Sequence, residues 1–364
     1  MKILTIGSAL IDTIAVIASE RIERMVMRNA DTAFLLLEEG HKNEAQEVST
    51  HCGGGAVNSA VGLARLGHDV AALIKVGQDA RAETIMSRLA EAGVSTRFVL
   101  RDGRMPTGAS VLISAHDRNA AIFTFRGANT LLEPKDLRKD CFATELVYIS
   151  GLSNESANCF PLIVEKAKAE GALVATNPGI RQLSAKQGDF RASLAKIDIL
   201  AINRVEAGAL IPWLVGTYGE GGPELAAEKG KELPELAKRG LSGGGFDMSL
   251  PAFFEAMHKL GPKWILVSDG KNGAYLGAPD TLLHCPASQV KVAGTAGAGD
   301  ALAATFAAFI AEGASPEDAI RAGVLNSGSV ITFVDTQSGL LTREKLNERL
   351  AQERKSLVLQ SWKL

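Results

Sequence analysis

Six short runs in this 364-residue chain are apolar at nearly every position: KILTIG, DVAALIKVG, LVYIS, LVAT, IDILAIN and WILVSDG. Side chains alternate between the two faces of a strand, so an unbroken apolar run marks a strand covered on both faces, as in a parallel sheet. Helical periodicity fills the gaps. Residues 56–66 form one helical pattern that ends at Gly67, and ARAETIMSRLAEAGV forms another that ends at Gly93. Helices are therefore expected on both faces of the sheet. TGASVLISA and AAIFTF flank the polar HDRN, which predicts an antiparallel hairpin projecting as a small β lid. The lid is drawn from parts of about 13–50 and 97–126, within one domain spanning 1–364. From about 208 to 261 the periodicity fades through GTYGEGGPE, AAEKGKELPELAKRG and LSGGGFDMS, the pattern of an irregular insertion carrying a solvated helix.

Composition narrows the partners. Apolar residues make up 46% of the chain, enough for a sizeable core. Lysine plus arginine (39) nearly balances aspartate plus glutamate (41), which leaves no basic surplus for nucleic acid or an anionic bilayer. A small-molecule partner is expected. Cys52, Cys141, Cys159 and Cys285 have neither metal nor disulfide spacing, as in a reduced, cytoplasmic protein without structural zinc. The apolar start MKILTIGSALIDTIAVIAS is interrupted by Gly7 and Asp12 and is read as a buried first strand rather than a secretion signal. No run approaches the roughly 20 apolar residues of a membrane span.

The stretch VAGTAGAGDAL, residues 292–302, carries the chemistry. From Ala301 to Ile310 only Thr305 is polar, so the helix that follows must be buried along its length and its start meets something inside the protein. A buried helix start offers unpaired N–H groups and the positive end of the helix dipole. Gly297, Ala298 and Gly299 are small enough to let another molecule's oxygens approach them. In one reading Asp300 merely caps its own helix. In the other it faces a hydroxyl that must lose its proton while a phosphoryl group arrives.

Here the chain resembles the ribokinase-like, phosphofructokinase-B type sugar and nucleoside kinases. Thr295, Gly297, Ala298, Gly299 and Asp300 match their late signature, and GGGAVNSAVGLARLG, with Gly53, Gly54 and Asn58, is similar to their early one. GSALID, VGQD, NRVE and VSDGKNGAYL continue the likeness in family order across essentially the whole chain. The resemblance implies a three-layer sandwich, a mostly parallel sheet with helices on both faces and a small β lid. It also implies an ATP- and Mg2+-dependent kinase phosphorylating a hydroxymethyl group of a sugar, sugar derivative or nucleoside. By the same resemblance Asp300 is the base and the amides of Gly297, Ala298 and Gly299 are the anion hole. Asp12, Gly53, Gly54 and Asn58 hold substrate, Asn203, Ser268, Gly270, Gly273 and Asn326 lie at the nucleotide, and Glu206 lies at the metal. On their own residues, Asp12 also reads as a turn aspartate, Asn58 as a helix-start amide and Glu206 as a surface helix residue. SDGKNG is equally a hairpin turn.

Gly294 stands where the family usually has an aspartate, and Ala296 where threonine is common. The monovalent-cation site that some members carry beside the anion hole is therefore not expected here. A ribokinase-like binder that has lost catalysis is the alternative. GSALID lacks the Gly-x-Gly-x-x-Gly pattern of a nicotinamide oxidoreductase. Association, where it occurs, is expected as a homodimer through the lid.

Overall fold

All six apolar runs become strands of one sheet in the computed structural model, which describes residues 1–17, 23–26, 33–36, 40, 42–115, 120–185, 187–227 and 232–364. In spatial order the nine strands are Gln360–Lys363, Thr281–Cys285, Ala274–Ala278, Trp264–Ser268, Ile199–Asn203, Leu173–Asn177, Leu146–Ser150, Lys2–Ile6 and Asp69–Leu73. Every pairing from Trp264–Ser268 to Asp69–Leu73 is parallel, and the other three strands add antiparallel.

Alternation along each strand sends side chains to opposite faces. Ile3, Leu146, Tyr148, Ile199 and Ala201 pack with helices Gly55–Arg65, Ala80–Glu91, Ala298–Ala311 and Pro316–Val330. Leu4, Ile6, Val147, Ile149, Leu200 and Ile202 pack with Phe160–Ala169, Arg204–Tyr218 and Leu250–Leu260. The result is the expected three-layer sandwich. Helix Ala298–Ala311 is buried from Ala301 to Phe309, because its alanines allow close packing against both neighbouring helices and the sheet.

A second sheet has the order Ala120–Phe125, Gly108–Ala115, Leu10–Ile17, Ala45–Gly53. Gly108–Ala115 and Ala120–Phe125 pair antiparallel, and the turn residues 116–119 lie outside the described residues. One face of this sheet leaves Val48, Val111, Phe123 and Phe125 exposed. Asp12, His51 and Ser110 are register partners on the opposite face.

The segment 208–261 is more regular than its sequence suggests. Arg204–Tyr218 is one helix despite Gly208 and Pro212, and Leu250–Leu260 buries Phe253, Phe254 and Met257. Gly208 is needed because the short hairpin Leu241–Gly243 with Phe246–Met248 lies against it, and a Cβ there would sit 2.7 Å from the Ser242 carbonyl oxygen. Among the described residues, the charged stretch contributes only the five-residue helix Glu235–Arg239.

Candidate active site

In parallel sheets the crevice at the carboxyl ends of the strands is the usual ligand site. At this edge Ser150 pairs in register with Asn177, and Asn203 with Ser268, while Gly7 follows the strand Lys2–Ile6.

Helix Ala298–Ala311 delivers Asp300 to the same edge. Gly297 precedes it in the left-handed region (φ 76°), where a side chain is strained and would also meet the Thr336 Cβ at 2.7 Å. No side chain caps this helix start. Asp300 therefore does not cap its own helix: its Oδ2 accepts a 2.8 Å hydrogen bond from the Asn58 amide. Burial pushes the half-buried Asp300 carboxyl above the ordinary carboxylate range, and the Asn58 hydrogen bond opposes that rise. A Cβ on Gly55 would lie 2.8 Å from Ser150 Oγ and 3.3 Å from Asp300 Oδ1, so the absence of a side chain at 55 keeps the approach to the carboxylate open. A Cβ on Gly299 meets nothing within 4 Å.

Asn58 is placed differently from a residue that only binds substrate. It is 4% exposed, and its Oδ1 accepts from Thr336 Oγ1 at 2.8 Å and Gln337 Nε2 at 3.1 Å. With both ends of its amide fixed, it aims Asp300. Asp12 faces the cleft from the second sheet, where Ser110 donates a short hydrogen bond to its Oδ1. Burial raises the Asp12 carboxyl, Ser110 lowers it, and the charge of Asp300 raises it further, so the two carboxylates share one crevice. Gly53 ends its strand where a side chain would collide with the Asp12 carboxylate. Gly54 (φ 98°) starts helix Gly55–Arg65 so close to the loop before Asp12 that a Cβ would lie 2.5 Å from Ser8 O.

Asn203 and Glu206 form a reciprocal capping box. Asn203 Oδ1 accepts from the Glu206 amide at 2.9 Å, and Glu206 Oε2 accepts from the Asn203 amide at 2.8 Å. Glu206 is 8% exposed, not a surface helix residue, and burial raises its carboxyl while the amides of Asn203 and Ile180 lower it. Gly270 and Gly273 build the tight turn joining Trp264–Ser268 to Ala274–Ala278, where the Asp269 amide donates to Gly273 O at 2.8 Å.

Asn326 is a correction. It is 0% exposed, donates to Thr305 Oγ1 at 2.8 Å and accepts from the Leu341 amide at 2.9 Å. Both ends of its amide are used inside the protein, so it fastens helix Pro316–Val330 to its neighbours rather than meeting a nucleotide. Ser150, Ser110, Thr336 and Gln337 were not singled out by the sequence. Ser110, one of two serines in the strand Gly108–Ala115, and Ser150, the last residue of the apolar run LVYIS, had only the local signal of a polar residue in an apolar run.

The sequence profile of the pfkB family carbohydrate kinases matches residues 3–215 and 248–343, leaving 216–247 unmatched. A deoxyribokinase of Salmonella typhi is 28% identical over 344 residues, covering 93% of this chain and 98% of the relative. The fold is shared with Arabidopsis thaliana ribokinase complexed with ribose and ATP, at a TM-score of 0.69 and 21% identity over 96% of this chain and 98% of the other. It is shared equally with the nucleoside kinase of Methanocaldococcus jannaschii, at a TM-score of 0.69 and 20% identity over 96% and 98% of the two chains. A profile match that spans most of the chain, together with relatives that are themselves kinases, places this protein in the pfkB family of carbohydrate kinases.

Proposed function

We propose that this kinase transfers the γ-phosphoryl group of ATP to a hydroxymethyl group of a sugar, sugar derivative or nucleoside. The observation that carries the reading is Asp300: a carboxylate held by Asn58 at an uncapped helix start, beside open space at Gly299. Deoxyribokinase, ribokinase and nucleoside kinase as relatives support the acceptor class. In this reading Asp300 takes the proton of the attacking hydroxyl, and the first-turn amides stabilise charge on the transferred phosphoryl oxygens. Asp12 accepts hydrogen bonds from acceptor hydroxyls, and the second sheet acts as a lid over them. The intact pairing of base and orienting amide favours catalysis over a binder that has lost it. ADP formation against a panel of sugars and nucleosides tests the proposal: stimulation by one class supports it, and none across the panel counts against it. A homodimer through the exposed face bearing Val48, Val111, Phe123 and Phe125 belongs to the same reading, and sedimentation decides it.

Magnesium fits this chain only as a companion of the nucleotide. Among the described residues no group of three His, Cys, Asp or Glu side chains could cage a metal, whereas Mg2+ carried on phosphates keeps its waters and needs one or two carboxylates. Glu206 would serve, with Asn203 beside it, and the ion would neutralise phosphate charge. Glu206→Gln keeps an oxygen for the two amides, so the fold should persist while the Mg2+ concentration for half-maximal rate rises several-fold. An unchanged Mg2+ titration would leave Glu206 as a helix cap alone.

Gly294 gives a second expectation. A Cβ there would lie 3.1 Å from the carbonyl oxygens of both Phe333 and Val334, so this spot has oxygens but no carboxylate. Exchanging K+ for a bulky organic cation at constant ionic strength should change the rate less than twofold, because the charged oxygen ligand that would hold the ion is missing at position 294. Strong K+ activation would show that other oxygens complete a cation site.

A further inference from the structure

Asn58 holds Asp300, and the hydrogen bonds that hold Asn58 continue past it to another helix. Its Oδ1 accepts from Gln337 Nε2 at 3.1 Å, and the far end of the same Gln337 amide, Oε1, accepts from Arg88 Nε at 2.8 Å. A line of side chains therefore runs from Arg88, on helix Ala80–Glu91, through Gln337 and Asn58 to Asp300, every link within hydrogen-bond distance. Both amides in the line, Asn58 and Gln337, are buried.

The chemistry of the two ends gives this line one direction. A guanidinium donates and does not accept, so Arg88 must meet the oxygen of the Gln337 amide. The amide nitrogen is then left for acceptors, and it reaches two, Asn58 Oδ1 and Cys52 O, each at 3.1 Å. Thr336 Oγ1 is a second donor to Asn58 Oδ1, at 2.8 Å. With its oxygen taken by two donors, Asn58 turns its nitrogen to Asp300, whose ionised carboxylate only accepts. Reversing either amide would set donor against donor or acceptor against acceptor, and burial makes such a conflict costly.

The supports of this line are fastened in their turn. Asp335 Oδ1 fixes the turn that carries Gln337 by accepting from the amides of Gln337 and Ser338 at 2.8 Å each, and Arg65 donates to Leu340 O at 2.6 Å. Helix Ala80–Glu91 starts at Asp79, whose carboxylate accepts from the Thr107 amide at 2.8 Å and the Thr107 hydroxyl at 2.6 Å. Thr107 immediately precedes the strand Gly108–Ala115, which supplies Ser110 to Asp12. The helix that bears Arg88 is thus tied to the sheet that bears Asp12, so both carboxylates of the crevice are set on one frame. From this geometry we infer that Arg88 and Gln337 are positioning residues for the base, fixing through Asn58 the direction in which Asp300 meets the acceptor hydroxyl. The inference rests on the kinase reading for what Asp300 does.

The test reads the rate and the titration of Asp300 in the full chain. ADP formation is measured with the acceptor that the panel of sugars and nucleosides selects. Asp300 is followed by carbon-13 NMR of carboxyl-labelled aspartate, its signal assigned by its loss in Asp300→Asn, which requires neither acceptor nor turnover. Arg88→Met, and Gln337→Met, which changes no charge, should each lower kcat roughly 3- to 30-fold with KM held within about two-fold, the scale of one hydrogen bond. Both should move the Asp300 midpoint upward by about half a pH unit or more, because a loosened Asn58 favours the carboxylate less. Arg88→Lys, still a donor that cannot accept, should recover part of the rate. Built on Asp300→Asn, neither substitution should cost more than about two-fold further, since a residue acting through the base has nothing left to align. The Arg88 side chain is 27% exposed, so its variants fold even where Gln337→Met does not, and melting temperatures show which do. An Asp300 midpoint unmoved in Arg88→Met, a loss as large on Asp300→Asn as on the parent, or a loss confined to KM overturns the inference. A shifted midpoint without ADP formation from any acceptor would uphold the positioning of Asp300 and overturn the kinase reading. ADP formation with midpoint and kcat both unmoved would do the reverse.

Discussion

Asp300→Asn is expected to keep the fold and nucleotide binding while lowering turnover by roughly 10²–10⁴, the contribution of a positioned general base. The substitution is conservative where the structure needs it to be: an asparagine oxygen can still accept from Asn58 Nδ2, so the contact at 2.8 Å and the network through Thr336 and Gln337 can survive. What disappears is the capacity to take a proton. Initial rates at saturating substrate, with nucleotide affinity measured separately, check the expectation. Turnover within a few-fold of the parent would remove Asp300 from the mechanism.

The same residue links pH to rate and to stability with opposite signs. Because burial raises its pKa, the carboxylate is protonated at a higher pH than an exposed aspartate, and kcat/KM should begin to fall at a correspondingly higher pH on the acid side. For stability, the folded state holds this proton more tightly than the unfolded chain. The stabilising contribution is complete below the unfolded pKa, about 3.9, and is lost as pH rises through the folded value. Asp300→Asn, neutral throughout, should therefore melt above the parent at pH 8, and the difference should close in acid.

The fold was legible wherever local pattern and tertiary role agree. The runs around Ile3, Val147, Leu200 and Leu266 are apolar on both faces because both faces are covered, and helix Ala298–Ala311 betrayed its burial by having only Thr305 as a polar interruption between Ala301 and Ile310. Helix Arg204–Tyr218 was half hidden because Gly208 and Pro212 read as breakers, although the glycine is there to admit a neighbouring hairpin. In the site, the position of Asp300 was visible but its alignment was not. Asn58 lies 242 residues away in sequence, and Thr336 and Gln337 have no local signature of a role. Asn326 failed for the converse reason: an amide on a helix near the site looks available until packing buries it between Thr305 and the Leu341 backbone.

Gly299→Val should abolish most activity, by about 10² or more, without unfolding the protein. The prediction depends on how differently the two glycines of this turn are used. Gly297 has φ 76° and lies against Thr336, so any side chain there strains the turn and the loss would be ambiguous. Gly299 has no positive φ and open space where a Cβ would be, so valine can be accommodated by the backbone, and it carries no helix-propensity cost because glycine ranks below valine in a helix. That open space is where phosphoryl oxygens must come within hydrogen-bond distance of the first-turn amides, and removing one such donor contact typically lowers kcat by roughly 10²–10³. A branched side chain would hold the oxygens away from all of them. Gly299→Ala, with a single methyl group, should fall between the parent and valine, and melting temperatures within a few degrees for all three would confirm that the fold is intact. Near-native turnover in both variants would mean that the transferred group does not pass over this helix start, and the anion hole would have to be sought elsewhere along the carboxyl edge.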